Sequence, residues 1–141
     1  MKRFICFDLG EKTLGIAISD SLRIAAWGLE NFYFVNNNYQ QAIDHALDVI
    51  EREKVLDVII GLALNLDGTE SKSSKRSIKF KEKLLERNPK LNIIMVDERM
   101  STLLANRLLK SANISNKKRK KIIDMESAIV ILETYLASIK K

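Results

Sequence analysis

Residues 4–9, 14–18 and 24–35 are three apolar and aromatic runs with only turn-length segments between them. Connections that short join antiparallel neighbours, because a parallel crossover needs about a dozen residues or more. The chain therefore opens as an antiparallel meander. The first run, Phe4-Ile5-Cys6-Phe7-Asp8-Leu9, is apolar at both odd and even positions. That pattern marks a strand covered on both faces. Gly10-Glu11-Lys12 supplies the turn into Leu14–Ile18, and the third run is rich in Trp27, Phe32, Tyr33 and Phe34.

Beyond residue 35 the pattern changes. Asn36-Asn37-Asn38 breaks it, and Asn is a favoured helix N-cap. Ile43, Ala46, Leu47 and Ile50 then recur at helical spacing, with Asp44, His45, Asp48, Glu51 and Arg52 on the other side. His45, the sole histidine, is expected to be a solvated surface group there. Leu56–Leu62 reads as a fourth strand, and Asn65-Leu66-Asp67-Gly68 as a turn. Thr69–Arg76 has no large apolar residue and reads as a surface loop or the exposed first turns of a helix. Ile78, Phe80, Leu84 and Leu85 anchor that helix, which Pro89 closes. Leu91–Val96 reads as a fifth strand. Ser101 is a candidate cap for a helix burying Leu104, Leu108 and Leu109. A last helix runs from about Ile122 to Ile139.

The order is β-β-β-α-β-α-β-α-α. Strands separated by helices pair in parallel through crossovers. The expected fold is therefore α/β: a five-stranded mixed sheet, three strands antiparallel and two parallel, flanked by helices. A chain of 141 residues suits one domain, residues 1–141. With 46% hydrophobic and 30% charged residues it should fold and stay dissolved.

Several classes drop out. Cys6 is the sole cysteine, so an internal disulfide and a multi-cysteine zinc site are both excluded. No segment approaches ~20 uncharged apolar residues, so no membrane span is expected. The few apolar residues between Arg3 and Asp8 are too short for a secretory signal, which makes a cytoplasmic location the expectation. The net charge of +6 favours an anionic partner.

Asp8 is the residue that asks for an explanation. An ionised carboxylate inside an apolar strand costs several kcal/mol unless it is compensated. Two further acidic positions are informative. Asp97 and Glu98 end the fifth strand, in "IIMVDERMST", and Asp124 begins the last helix, in "KIIDMESAIVIL". Ligand groups in α/β sheets gather at the carboxyl ends of parallel strands. If the first, fourth and fifth strands are parallel neighbours, Asp8 and Glu98 converge there, and Asp124 leans in from the covering helix. Such a cluster stays ionised only with a cation, and Mg²⁺ or Mn²⁺ suits an all-oxygen donor set. Two such ions would activate water and stabilise the leaving oxygen in phosphodiester cleavage. Asp97 and Asp124 also suit plain helix capping, and Glu98-Arg99 suits a surface ion pair.

The run Lys117-Lys118-Arg119-Lys120-Lys121 lies just before Asp124. It either holds nucleic-acid phosphates or forms a solvated loop. Lys72, Lys75 and Arg76 repeat the idea more weakly.

The segments "FDLGEKTLGIAISD", "GLALNLDG", "VDERMST" and "IDMESAIVILETYL", in this order, resemble the YqgF/RuvX family over nearly the whole chain. That family is a branch of the RNase H-like superfamily related to Holliday junction resolvases. The resemblance implies an RNase H-like domain with a divalent metal on Asp8, Glu98 and Asp124. It implies a nuclease acting on structured nucleic acid, either maturing the 5′ end of pre-16S rRNA or resolving branched DNA. Lys12, Asn65, Arg99, Lys117, Lys118, Arg119 and Lys120 are the candidate substrate contacts. Ala63 stands where the family usually has Pro, and Leu66 where it usually has Met. Ser101 stands where it more often has Thr, and Ser127 where a small apolar residue is usual. No carboxylate is lost.

Two other readings stay open. "DLGEKTLG" also resembles the phosphate hairpin of sugar-kinase and actin-like ATPases, though those clamp nucleotide between two such domains. A non-catalytic RNA-binding assembly factor accounts for the charge but leaves Asp8 unexplained. Either a monomer or a homodimer is compatible with the sequence.

Overall fold

A computed structural model of the protein describes residues 2–97 and 116–139, with residues 116–126 described as helix backbone alone. Five strands form one sheet: β1 (Phe4–Leu9), β2 (Thr13–Ser19), β3 (Ala26–Tyr33), β4 (Asp57–Leu62) and β5 (Asn92–Asp97). Three helices are described: α1 (Tyr39–Glu53), α2 (Lys72–Arg87) and α3 (Asn116–Ile139). The helix expected after Ser101 lies outside the described residues.

The strand order is β3-β2-β1-β4-β5. β2 pairs antiparallel with β1 and with β3. β4 runs parallel to β1 on one side and to β5 on the other. The mixed sheet expected from the spacing of the runs is the sheet observed. β1 lies at its centre, which is why its residues are apolar at nearly every position.

Alternation along β1 divides the core in two. Ile5, Phe7 and Leu9 join Leu14, Ile16, Ile18, Val58 and Ile60 beneath α1 and α2. On that face Phe7 meets Phe80 of α2 edge-on, with centroids 5.9 Å apart. Phe4 and Cys6 join Ala17 and Ile59 beneath Ala128, Ile131, Leu132 and Leu136 of α3.

Four local readings differ from the structure. The third strand is trimmed to Ala26–Tyr33, because residues 20–25 form the turn from β2. In that turn Arg23 adopts φ 60°, pairs with Asp57 and lies 3.7 Å over the Phe4 ring. Asn38 precedes α1 but makes no side-chain cap bond. The Asn run serves instead as a left-handed turn at Asn37 (φ 65°), whose N–H donates to the Glu11 carbonyl. Asn tolerates that conformation better than most residues.

His45 is not a solvated group. Its Nε2 lies 2.7 Å from Glu30 Oε1, and its ring stacks on Phe32 at 3.8 Å. The cause is a bulge in β3. Gly28 pairs with Ala17 and Glu30 with Ile16, leaving Leu29 as the extra residue. The bulge re-aims the strand, so Glu30 and Phe32 face α1. Finally, α3 begins at Asn116, not near Ile122. Lys and Arg are good helix formers, so a basic run need not be a loop.

Candidate functional site

Asp8 is half-buried near the carboxyl end of β1, on the same side of the strand as Phe4 and Cys6. That is the α3 face. Across the β1–β2 ladder its partner is Gly15. On the β4 side, Phe7 pairs with Ile60, so Gly61 is the next residue of β4 at the level of Asp8. Neither glycine brings a side chain to the face beside the carboxylate. Glycine inside a strand often marks a close approach by a ligand or another backbone. Gly15 within TLGIAIS and Gly61 within DVIIGL are the sequence signal of that position.

Helix α3 covers this face in a defined direction. Tyr135, near its carboxyl end, meets Phe4 at the start of β1, with centroids 5.3 Å apart and planes at 85°. From Phe4 to Asp8 the strand climbs ~13 Å. From Tyr135 back to position 124 the helix climbs ~16 Å. Ala128, Ile131 and Leu132 lie between and are buried on the sheet. Position 124 precedes Ala128 by one helical turn and Ile131 by two, which is the spacing of that buried stripe. The backbone of α3 therefore brings its amino-terminal turns towards the sheet edge where Asp8 sits.

Asp97 is the last residue of β5 and pairs with Leu62. It shares its parity with Ile93 and Met95, which pack on the α1–α2 side. Ile94 and Val96 belong to the α3 side. Asp97 thus stands on the opposite face from Asp8. Glu98 and Arg99 lie outside the described residues, as do the side chains of Asp124, Lys117, Lys118, Arg119 and Lys120. Those four basic residues are on the first turns of α3. Among the described residues, no group of three His, Cys, Asp or Glu is placed to hold a metal ion.

Lys12 is exposed in the β1–β2 turn, three residues after Leu9, and its carbonyl accepts from Phe34 N–H at 2.9 Å. Asn65 occupies the loop after β4. Its amide donates to Thr69 Oγ1 at 3.0 Å and to the Glu70 carbonyl at 3.2 Å. These donors brace the loop rather than reach outward. Ser71 donates its hydroxyl to the Ala63 carbonyl, so this loop is tied down at Ala63 even though Pro is absent there. No described helix is long and apolar enough to cross a membrane.

Residues 2–138 match the family model described as RuvX, Holliday junction resolvase. A Staphylococcus aureus (strain N315) protein named "Putative pre-16S rRNA nuclease" is 39% identical over 137 residues, 97% of this chain and 96% of that protein. Its counterpart from strain MW2 gives the same figures. Among solved structures, Thermus thermophilus RuvC in complex with a Holliday junction substrate aligns with a TM-score of 0.58 at 12% identity. That alignment covers 98% of this chain and 95% of RuvC. The fowlpox virus Holliday junction resolvase aligns with a TM-score of 0.61 at 15% identity, covering 97% and 99%. The fold is that of the RNase H-like resolvases.

Proposed function

The chain belongs to the RuvX family, and we propose that it is a divalent-metal-dependent nuclease acting on structured nucleic acid, with the 5′ end of pre-16S rRNA as substrate. The observation that carries this reading is the position of Asp8. It sits at the carboxyl edge of the central strand, flanked by Gly15 and Gly61, on the face crossed by α3. The substrate assignment rests on the relatives' names.

The donor chemistry fits a hard cation. Asp8 supplies carboxylate oxygens from a rigid central strand. Glu98 follows Asp97, the last residue of β5. Asp124 has the helical spacing of Ala128 and Ile131. These three carboxylates would hold Mg²⁺ or Mn²⁺, which when bound supplies charge neutralisation and an activated water for phosphodiester hydrolysis. The chain's own part is to hold three like charges at one sheet edge and to keep them oriented. Lys12, exposed on the β1–β2 turn, is proposed to hold a substrate phosphate beside them, as are Arg99 and Lys117–Lys120. The reading carries a cytoplasmic location with it.

The test is cleavage of pre-16S rRNA and of a four-way DNA junction, with Mg²⁺ or Mn²⁺, by wild type and Asp8→Asn. Metal-dependent trimming of the rRNA that disappears in the variant is the expected result. Cleavage of the junction alone would move the substrate to branched DNA, as the family description has it. Symmetric resolution would then need two sites related by a two-fold axis. Equal activity in both proteins removes Asp8 from the chemistry. Salt-sensitive RNA binding with no cleavage under any metal replaces the enzyme with a binding factor.

A further inference from the structure

A second positively charged site lies on the other face of the sheet. Lys72, Lys75, Arg76, Lys79 and Lys83 recur at helical spacing along α2 and line one wall of a cleft of about 650 Å³. The opposite wall is the start of α1, at Asn38, Tyr39 and Gln40, and the floor includes Ile43 and Phe80.

Three features concentrate positive potential there. First, the basic side chains are stacked at (i, i+3) and (i, i+4), where like charges destabilise a helix. Lys83 reaches Glu86 at 3.5 Å. Among the described residues, no carboxylate lies within ion-pair distance of Lys72, Lys75, Arg76 or Lys79. Second, Lys72 and Lys75 lie in the opening turns of α2, whose first turn has no acidic residue. That is the wrong sign for the positive end of a helix dipole. Third, α1 presents its own amino-terminal end to the cleft, without a side-chain cap and without an acid in its first turn. Arg76 is held in place rather than loose. It donates to Ser73 Oγ at 3.1 Å and lies 5.6 Å from the Tyr39 ring centre.

The cleft and Asp8 share one sheet edge. Asn37 N–H donates to the Glu11 carbonyl at 2.8 Å, and Phe34 N–H to the Lys12 carbonyl at 2.9 Å. The rim of the cleft is thereby bonded to the turn that follows β1. Lys12, exposed on that turn, stands between the two sites.

We propose that the cleft between α1 and α2 is a docking groove for the phosphate backbone of a nucleic-acid strand, separate from the carboxylate site and connected to it around the β1–β2 turn. The basic stripe is ~16 Å long, which matches about five phosphates of one duplex strand. The stripe itself is Lys and Arg alone, groups that hold phosphates by charge, so binding to it follows salt concentration. The groove extends the nuclease reading to a strand leaving the cleavage site, but its test involves no cleavage.

The test uses the full chain in EDTA and labelled single-stranded RNA or duplex DNA. Anisotropy is followed as a function of salt for wild type, for Lys75→Gln/Lys79→Gln, and for Lys2→Gln/Lys90→Gln. The last pair makes the same charge change at exposed residues around the opposite sheet edge. The cleft variant should lower the slope of log K against log salt by about 1.4 on single strands or about 1.8 on duplex. The distal variant should leave it close to wild type. Equal slopes for the two variants would mean net charge alone and would overturn the groove, as would an unchanged slope in the cleft variant. Thermal melts check that both variants fold. EDTA withholds the metal that cleavage would need, so the slopes test the groove alone: failure of the nuclease assay would leave them unchanged, and failure of the groove would leave cleavage standing.

Discussion

The Tyr135 ring meets the Phe4 ring edge-on at 5.3 Å, which puts the carboxyl-terminal part of α3 over the start of β1. Phe4 opens the central strand and Tyr135 lies near the end of the helix. With those ends pinned together, the start of α3 runs towards Asp8 and not away from it.

The aromatic contact should be energetically coupled. In a cycle of Phe4→Leu, Tyr135→Leu and the double variant, urea unfolding should give a coupling of about 1 kcal/mol. Additive single effects would show that the remaining α3 core, and not this pair, orients the helix.

Asp8→Asn should fold like wild type, since the side chain keeps its shape, yet lose its response to metal. Wild type in Mn²⁺ at about 100 times the dissociation constant should gain about 2.7 kcal/mol. The variant should gain far less, measured by thermal shift without any substrate. A full shift in the variant would exclude Asp8 as a ligand.

Ser71→Ala should lower stability by about 1–2 kcal/mol. Ser71 Oγ accepts from Ser74 N–H at 2.9 Å, and Ser71 N–H donates to Ser74 Oγ at 2.7 Å, a reciprocal cap at the start of α2. Its hydroxyl also ties the loop at Ala63. The urea midpoint should fall with the slope unchanged. A midpoint equal to wild type would mean water replaces the cap at no cost.

Lys54→Gly should stabilise the protein. Lys54 ends α1 in the left-handed region at φ 55°, with its N–H bonded back to the helix. A side chain there costs about 1–2 kcal/mol, and glycine's extra freedom when unfolded returns about half of that. A net gain of about 0.5–1 kcal/mol is expected by chemical denaturation. A loss would show that the Lys54 side chain contributes contacts that outweigh its backbone strain.

Much of this was legible in the residues. The short gaps before residue 35 forced a meander, and the apolar run around Asp8 marked a strand covered on both faces. Ala128, Leu132 and Leu136 recur at helical spacing and are the positions of α3 buried on the sheet. Where the reading went astray, a residue's environment came from a distant segment. His45 looked solvated because Glu30 and Phe32 reach it only through the bulge at Leu29. Asn38 looked like a cap, but the Asn run was used for the backbone bond to Glu11. The last helix read as starting near Ile122 and not at Asn116 because charge hides the helical periodicity of Lys117–Lys121.

The amino-acid order by itself determined which described segments are strands or helices and which strand carries a carboxylate among apolar residues. Those follow from periodicity and polarity, which act over a few neighbouring residues. Only the tertiary structure decided that β1 lies between β2 and β4, that Asp97 stands on the opposite face from Asp8, and that α2 turns its basic stripe towards the start of α1. Those outcomes depend on hydrogen-bond register and helix packing between segments far apart in the chain, and a one-residue change of register exchanges the two faces of a strand.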